Sequence, residues 1–161
     1  MIFPIEHQQE PDWCWDAVAV SVEHYFDPHS PLTQQKFAVE ALGVPLSHAD
    51  QPWYLHDALT DLGKLKSNPQ SYLSFEAIQQ QLNANLPVCA HLAWNEGGSH
   101  YVVITGYGKS HAGRPQVHVS DPILSDSNMV VWDYDEFVAA YSPSYAPYAE
   151  GVWVDTCLVQ P

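Results

Sequence analysis

Cys14 is the residue whose surroundings most favour nucleophilic chemistry. It lies between a polar loop containing Pro11 and Asp12 and an apolar run that begins at Ala17. Because these are the signals of a helix start, with Asp12 as the capping carboxylate, we expect Cys14 in or beside the first helical turn. The unpaired N–H groups and the positive dipole end there favour the thiolate, which is the nucleophile. Free cysteines are also often small buried hydrophobic residues, so position alone does not establish this role.

The other groups that a cysteine nucleophile needs are a base, a group to orient it, and donors for the oxyanion. His100 follows a glycine-rich loop and opens an apolar strand, and Asp121 ends the next strand, where Pro122 favours an extended backbone. If these strands are antiparallel neighbours, the two side chains lie within reach of each other. Gln8, six residues before Cys14, can direct a side-chain N–H to the same point as the Cys14 backbone N–H.

Residues beside the nucleophile and the base are expected to line a substrate cleft, namely Trp13, Trp15 and Ser99. We expect one tryptophan to pack inside the protein and the other to cover the site. Asp16 is expected to place a further negative charge beside the thiol, which would disfavour the thiolate.

Several residues compete for these roles. His91 and His118 lie on predicted strands and are more simply a core residue and a sheet-face residue. Asp126 and Asp133 are alternatives to Asp121, although a polar loop and a strand end favour surface carboxylates. A metal site that includes Cys89 and His91 is a weaker hypothesis, because no pair of ligands has helical or zinc-finger spacing.

The elements that must position these residues change in character along the chain. Periodicity and capping residues predict four helices followed by strands, with one short helix between the last two strands. The helices are expected at 14–26, 34–42, 53–62 and 75–83, the strands at 87–94, 100–107, 116–120, 129–132 and 151–159, and the short helix at 135–141. This separation predicts an α+β domain spanning residues 1–161, with an N-terminal helical half packed on a C-terminal antiparallel sheet.

The ordered set Gln8, Cys14, His100 and Asp121 resembles that of the papain-like cysteine peptidases. Trp13-Cys14-Trp15, the segment from Gly98 to Tyr107, and Asp121-Pro122 are most similar to the compact bacterial branch with AvrRpt2-type effectors and C39-like peptidases. The resemblance implies a papain-like fold with a half-barrel sheet. It also implies that Gln8 is the oxyanion donor, Cys14 the nucleophile, His100 the base and acid, and Asp121 its orienter.

Composition narrows the partners. Five basic against nineteen acidic residues give a formal charge of −14, which repels nucleic acids and anionic membranes. This charge does not identify a partner, but the resemblance to papain-like peptidases implies a protein or peptide substrate, and no cofactor or metal is expected. Three cysteines do not suggest a disulfide framework, and no leader or spanning segment is evident. We expect a cytoplasmic protein, or one secreted or injected without a classical signal peptide.

These observations predict a thiol endopeptidase that works through an acyl-enzyme. A bacterial effector or toxin role, and with it a secretion-system or immunity partner, is left open. An acyltransferase or transpeptidase would use the same four residues, because only the acceptor differs. A non-catalytic binding module on the same scaffold is the third hypothesis, although it gives no chemical reason to keep all four.

Overall fold

A computed structural model describes residues 1–124, 129–146 and 149–161. Within them the helices precede most of the strands, and the predicted α+β class is confirmed. The helices are α1 (Cys14–Phe26), α2 (Gln34–Leu42), α3 (Leu55–Asp61), α4 (Phe75–Asn83) and α5 (Tyr134–Ala140), with a short 3₁₀ turn at Leu46–His48. The strands are β1 (Leu65–Ser67), β2 (Val88–Trp94), β3 (Ser99–Lys109), β4 (Pro115–Ser120), β5 (Met129–Asp133) and β6 (Gly151–Val159).

The strands form one antiparallel sheet in the order β1-β6-β2-β3-β4-β5. Its two faces pack against different helices, which makes two apolar cores. Tyr101 and Val103 of β3 belong to the core that contains α1, whereas Val102 and Ile104 belong to the core that contains α4 and α5. This burial on both faces explains why β3 is continuously apolar rather than alternating.

Local signals account for the starts of α2 and α4 and for the end of α2. The Thr33 and Ser74 hydroxyl groups accept the N–H groups of Lys36 and Ala77 at the starts of α2 and α4. Gly43 ends α2 with a φ of 65°, in the left-handed region that favours glycine.

Two predictions about helix starts are wrong, one for α3 and one for α1. Helix α3 begins at Leu55, not at Trp53, because Tyr54 has an extended backbone and the preceding segment is held by a hydrogen bond from the Trp15 indole to the Gln51 carbonyl oxygen. Helix α1 does begin at Cys14, but its N-cap is Trp13 and no side chain caps it, so Asp12 does not have the expected capping role.

Candidate active site

Cys14 is the first residue of α1 and is half-buried at the edge of the α1 core. The uncapped start of α1 leaves backbone N–H groups of the first turn without a side-chain acceptor. Residues 7–9 are held near this point by α2, since Gln34 donates to the His7 carbonyl oxygen and accepts the Gln9 N–H. The nucleophile candidate therefore lies where backbone donors and a helix dipole favour negative charge.

His100 is brought to Cys14 by the β2–β3 hairpin. The turn between the two strands contains Gly98, which has a φ of 83° and therefore requires glycine, and whose carbonyl oxygen accepts the Trp94 N–H. Nε2 of His100 lies 2.8 Å from Oδ1 of Asp121, and the ring also interacts with the Cys14 thiol. Because Nε2 faces the carboxylate, Nδ1 is the nitrogen left for the thiol.

The surroundings of His100 favour its protonated form. The ring is 3% exposed, and burial alone would lower its pKa. Hydrogen bonds with Asp121 and Cys14, and the charges of these partners, outweigh burial and raise the pKa of His100 to about 10. The imidazole is therefore positively charged at neutral pH, as a thiolate–imidazolium pair requires.

Asp121 lies directly after β4, as predicted, and is fully buried. Its Oδ1 accepts the Ile123 N–H as well as facing His100, and its Oδ2 accepts the hydroxyl groups of Tyr141 and Tyr145. Burial tends to raise the pKa of this carboxyl, but His100 and the other donors hold it below its ordinary value. Asp121 is therefore a charged group in a dry environment.

Gln8 lies near the site but does not point its amide into the cleft. Its backbone N–H donates to the Pro122 carbonyl oxygen, next to Asp121. Its side-chain Nε2 donates to the carbonyl oxygens of Glu10 and Pro11, at 3.1 and 2.8 Å, while Oε1 is buried without a partner. Exchanging the two amide atoms would place an oxygen against two carbonyl oxygens, so this orientation is set by the loop.

A cleft of about 350 Å³ opens beside Cys14 and His100. It is lined by Pro11, Asp12, Cys14, Trp15, Pro52, Trp53, Trp94, Gly98, Ser99, His100, Tyr101 and Ile123. An adjoining hollow shares its Pro52, Trp53, Ser99 and Tyr101 walls and extends to Tyr54 and His91. Ser99 is exposed on the rim between the two hollows.

Of the two tryptophans beside Cys14, one was expected to pack inside the protein and the other to cover the site. Both are buried, so neither covers the cleft, and that expectation is wrong. Trp13 is not among the residues lining the cleft, because its indole N–H points inward to the Ala49 carbonyl oxygen at 2.7 Å. Trp15 has a similar inward bond to Gln51, but its ring contributes to the cleft wall.

The aromatic residues at the opening come instead from other segments. Trp94 stacks on the His100 ring, with centroids 6.0 Å apart and planes at 16°. Trp53 is 38% exposed on the opposite side, in the segment before α3. Trp94 could have been recognised as the residue before the glycine-rich turn that leads to His100. Trp53 was hidden inside a predicted helix.

Asp16 does not provide the expected charge. It is fully buried, and among the described residues neither of its carboxyl oxygens has a hydrogen-bond partner. Burial, with a smaller contribution from the charge of Glu6, raises the pKa of Asp16 to about 8. The group is therefore mainly protonated at neutral pH, and its effect on the thiol is smaller than the sequence suggests.

The competing residues have other partners or lie elsewhere. Nδ1 of His91 is 2.6 Å from Oδ2 of Asp155, and its ring stacks on Tyr101. Asp133 is paired with the Arg114 guanidinium at 2.7 Å, and Asp126 lies outside the described residues. In the described part of the chain, no three His, Cys, Asp or Glu side chains are grouped so that they could hold a metal ion.

Comparison with known protein families gives a match over most of the chain. The family described as papain-like cysteine protease AvrRpt2 matches residues 2–142. The chain belongs to this family. It is therefore a member of a cysteine peptidase family with an α+β fold, and the matched segment includes Gln8, Cys14, His100 and Asp121. A comparison with curated proteins finds no match.

Two further observations describe the rest of the molecule. All three cysteines are free thiols, including Cys89 and Cys157, which are opposite each other on β2 and β6. Over the described ranges, none of the helices combines the length and the apolar character needed to cross a membrane.

Proposed function

We propose that this protein is a cysteine endopeptidase in which Cys14, His100 and Asp121 act as a catalytic triad. The observation that carries the proposal is the position of His100, which lines one cleft with Cys14, interacts with its thiol and lies 2.8 Å from the buried Asp121 carboxylate. The raised pKa of His100 keeps its imidazole protonated, so His100 already holds the proton that the Cys14 thiol gives up before substrate binds.

The reaction follows from these positions. The Cys14 thiolate attacks the carbonyl carbon of the scissile peptide bond, and the electron pair of the C=O bond moves to oxygen. Collapse of this tetrahedral intermediate breaks the C–N bond while His100 gives its proton to the leaving amine. Water then attacks the thioester, with His100 as the base, and releases the acid and the thiol. Asp121 orients the ring and stabilises its charge but does not transfer the proton.

Donors for the oxyanion come from the start of α1 and from Gln8. The backbone N–H of Cys14 is the first donor. The Gln8 amide becomes the second donor when it exchanges a bond to Glu10 or Pro11 for the substrate oxygen, which is the type of rearrangement that apo sites undergo on binding. Trp15 and Ser99, in the cleft walls, are the proposed substrate contacts, whereas Trp13 supports them from the interior.

The effector or toxin setting, and delivery without a classical signal peptide, remain part of this proposal, on the strength of the resemblance to AvrRpt2-type effectors. A protein or peptide substrate fits a cleft of this volume with an open, aromatic rim.

The proposal is tested by measuring the rate of iodoacetamide alkylation at each cysteine against pH, using peptide mass spectrometry. Cys14 is expected to react rapidly well below the ordinary thiol pKa of about 8.5, and to lose this reactivity in His100→Ala. The buried Cys89 and Cys157 are internal controls, because burial raises the pKa of both thiols. A Cys14 no more reactive than these two would refute the assembled nucleophile and favour a binding module.

A peptide library then separates the remaining reactions. Endopeptidase activity predicts shorter products that are absent in Cys14→Ala. Products that carry an added amine, formed in preference to hydrolysis, would instead identify an acyltransferase or transpeptidase.

A further inference from the structure

Asp121 has more hydrogen-bond donors than its role toward His100 requires. Tyr141 and Tyr145 both donate to Oδ2, at 2.7 and 2.6 Å, while Oδ1 faces His100 and accepts the Ile123 N–H. The two carboxylate oxygens of Asp121 therefore have different partners. Oδ1 faces His100, and Oδ2 accepts hydrogen bonds from the two tyrosine hydroxyl groups.

The two tyrosines reach Asp121 from the segment that joins α5 to β6. Tyr141 is fully buried among Trp94, Trp132 and Phe137, and its backbone pairs with Gly151 in both directions, at 2.9 and 2.8 Å. This pairing closes the segment that contains Tyr145. The Tyr145 ring also packs edge-on against His100, with centroids 6.2 Å apart. Both hydroxyl groups are therefore held in place by their own packing.

We propose that Tyr141 and Tyr145 are positioning residues of the reaction, which hold Oδ2 of Asp121 so that Oδ1 stays directed at His100 and the carboxylate stays charged. This inference rests on the proposed function, because it assigns the tyrosines a role only through the triad. It also extends the machinery beyond the residues that the family comparison matches, since Tyr145 lies after residue 142.

The physical reason is the cost of a buried charge. A carboxylate out of water is stable only when its lone pairs are satisfied, and otherwise it takes up a proton. Asp16, equally buried but without a donor, shows this alternative in the same molecule. If Asp121 took up a proton, it would no longer stabilise the imidazolium, and the Cys14 thiolate would lose its counter-charge.

Within the described residues, the groups that hydrogen-bond to the Asp121 carboxylate come from four segments. They are the His100 ring from β3, the Ile123 N–H from the turn after β4, the Tyr141 hydroxyl after α5 and the Tyr145 hydroxyl beyond it. Cys14 of α1 acts on the carboxylate through His100. Of the neutral donors in this set, only the hydroxyl groups can be removed without changing the backbone.

The test uses Tyr141→Phe and Tyr145→Phe, each of which keeps the ring and removes one donor. The readout is the pH profile of Cys14 alkylation by iodoacetamide, which needs no substrate. A hydrogen bond to a charged group contributes enough to shift a titration by about one pH unit or more. Because loss of a donor makes the Asp121 carboxylate easier to protonate, we expect Cys14 reactivity to be lost at a pH about one unit higher in each variant, and higher still in the double variant.

Tyr134→Phe is the matched control, because its hydroxyl donates at 2.8 Å to the Leu73 carbonyl oxygen, a neutral acceptor away from Asp121. Its acid limb should coincide with that of the wild type. Asp121→Asn shows the profile expected when residue 121 carries no charge, because an amide cannot ionise. The alkylation profiles of the two tyrosine variants should lie between those of Asp121→Asn and the wild type. Thermal unfolding shows whether each variant is folded. If Tyr141→Phe does not fold, the pH profile of Tyr145→Phe alone tests the inference.

The outcomes separate this inference from the proposed function. A reactive wild-type Cys14, a displaced Asp121→Asn profile and unshifted tyrosine variants would overturn the inference alone. A wild-type Cys14 without enhanced reactivity would overturn the proposed function, and the inference with it. A shift in Tyr134→Phe equal to that in the other two variants would show that loss of any tyrosine hydroxyl has this effect, and would also overturn the inference.

Discussion

We expect the free energy of unfolding to decrease as the pH rises from 5 to 8, and we expect this decrease to be much smaller in Asp16→Asn. The Asp16 carboxyl is fully buried without a donor, and its pKa is raised from 3.8 to about 8. The folded state therefore holds this proton more strongly than the unfolded state does. Stability from this source is complete below about pH 4 and is lost progressively as the pH rises through about 8.

The magnitude follows from the same shift. Each pH unit over which the folded state alone keeps the proton changes the free energy of unfolding by about 1.4 kcal/mol. Between pH 5 and pH 8 the loss is roughly 3 kcal/mol, after allowance for the start of α1, whose dipole favours the charged form. Because asparagine does not titrate, residue 16 no longer makes the free energy of unfolding depend on pH. Burial of the asparagine amide changes that free energy by the same amount at every pH.

The assay is urea unfolding of the wild type and of Asp16→Asn at several pH values from 5 to 8. The quantity of interest is the difference in free energy of unfolding between the two proteins, which cancels titrations that they share. Asp61→Asn is the control, because Asp61 is an exposed carboxyl on α3. A difference between wild type and Asp16→Asn that does not change with pH would refute the reasoning and show that the Asp16 carboxyl is charged, with a partner, in the folded protein.

Two further predictions concern the site itself. In Asp121→Asn, turnover should fall by up to about ten-thousandfold without disappearing, because this residue orients His100 rather than transferring protons; a wild-type rate in a peptidase assay would assign the orienting role to another carboxylate. In Gln8→Ala, kcat should fall roughly ten to a thousandfold while Cys14 alkylation, which forms no oxyanion, stays unchanged. If alkylation falls in parallel, Gln8 acts instead by holding the loop at Glu10 and Pro11.

The parts of the site that follow from local sequence were predictable. Cys14 is at a helix start because apolar spacing and the loop before it define where α1 begins. His100 and Asp121 meet because each is at the end of a strand, and antiparallel pairing of β3 with β4 brings those ends together. Both arguments need only periodicity and turn residues, so α1, α2, α4 and β6 were predicted with their observed bounds.

The parts that depend on contacts between distant segments were not predictable. The burial of Trp13 depends on a carbonyl group 36 residues away. The orientation of Gln8 was missed for a different reason, since it depends on two carbonyl groups of an irregular loop that has no sequence periodicity. Tyr145 donates to Asp121 across 24 residues from a segment without periodicity. Strand β1 was missed because three residues carry no pattern, and it exists only through pairing with β6.

Asp16 and Asp121 show how the same type of side chain takes opposite charge states on either side of Cys14, the proposed nucleophile. Both are fully buried, and burial by itself raises the pKa of each. In the part of the chain that the structure describes, Asp121 has four donors or cationic partners and remains charged, whereas Asp16 has none and becomes neutral. Near neutral pH the site therefore combines a carboxylate behind the imidazolium with an uncharged acid beside the thiol. That charge pattern favours the thiolate, and it would reverse if the donors were moved from Asp121 to Asp16.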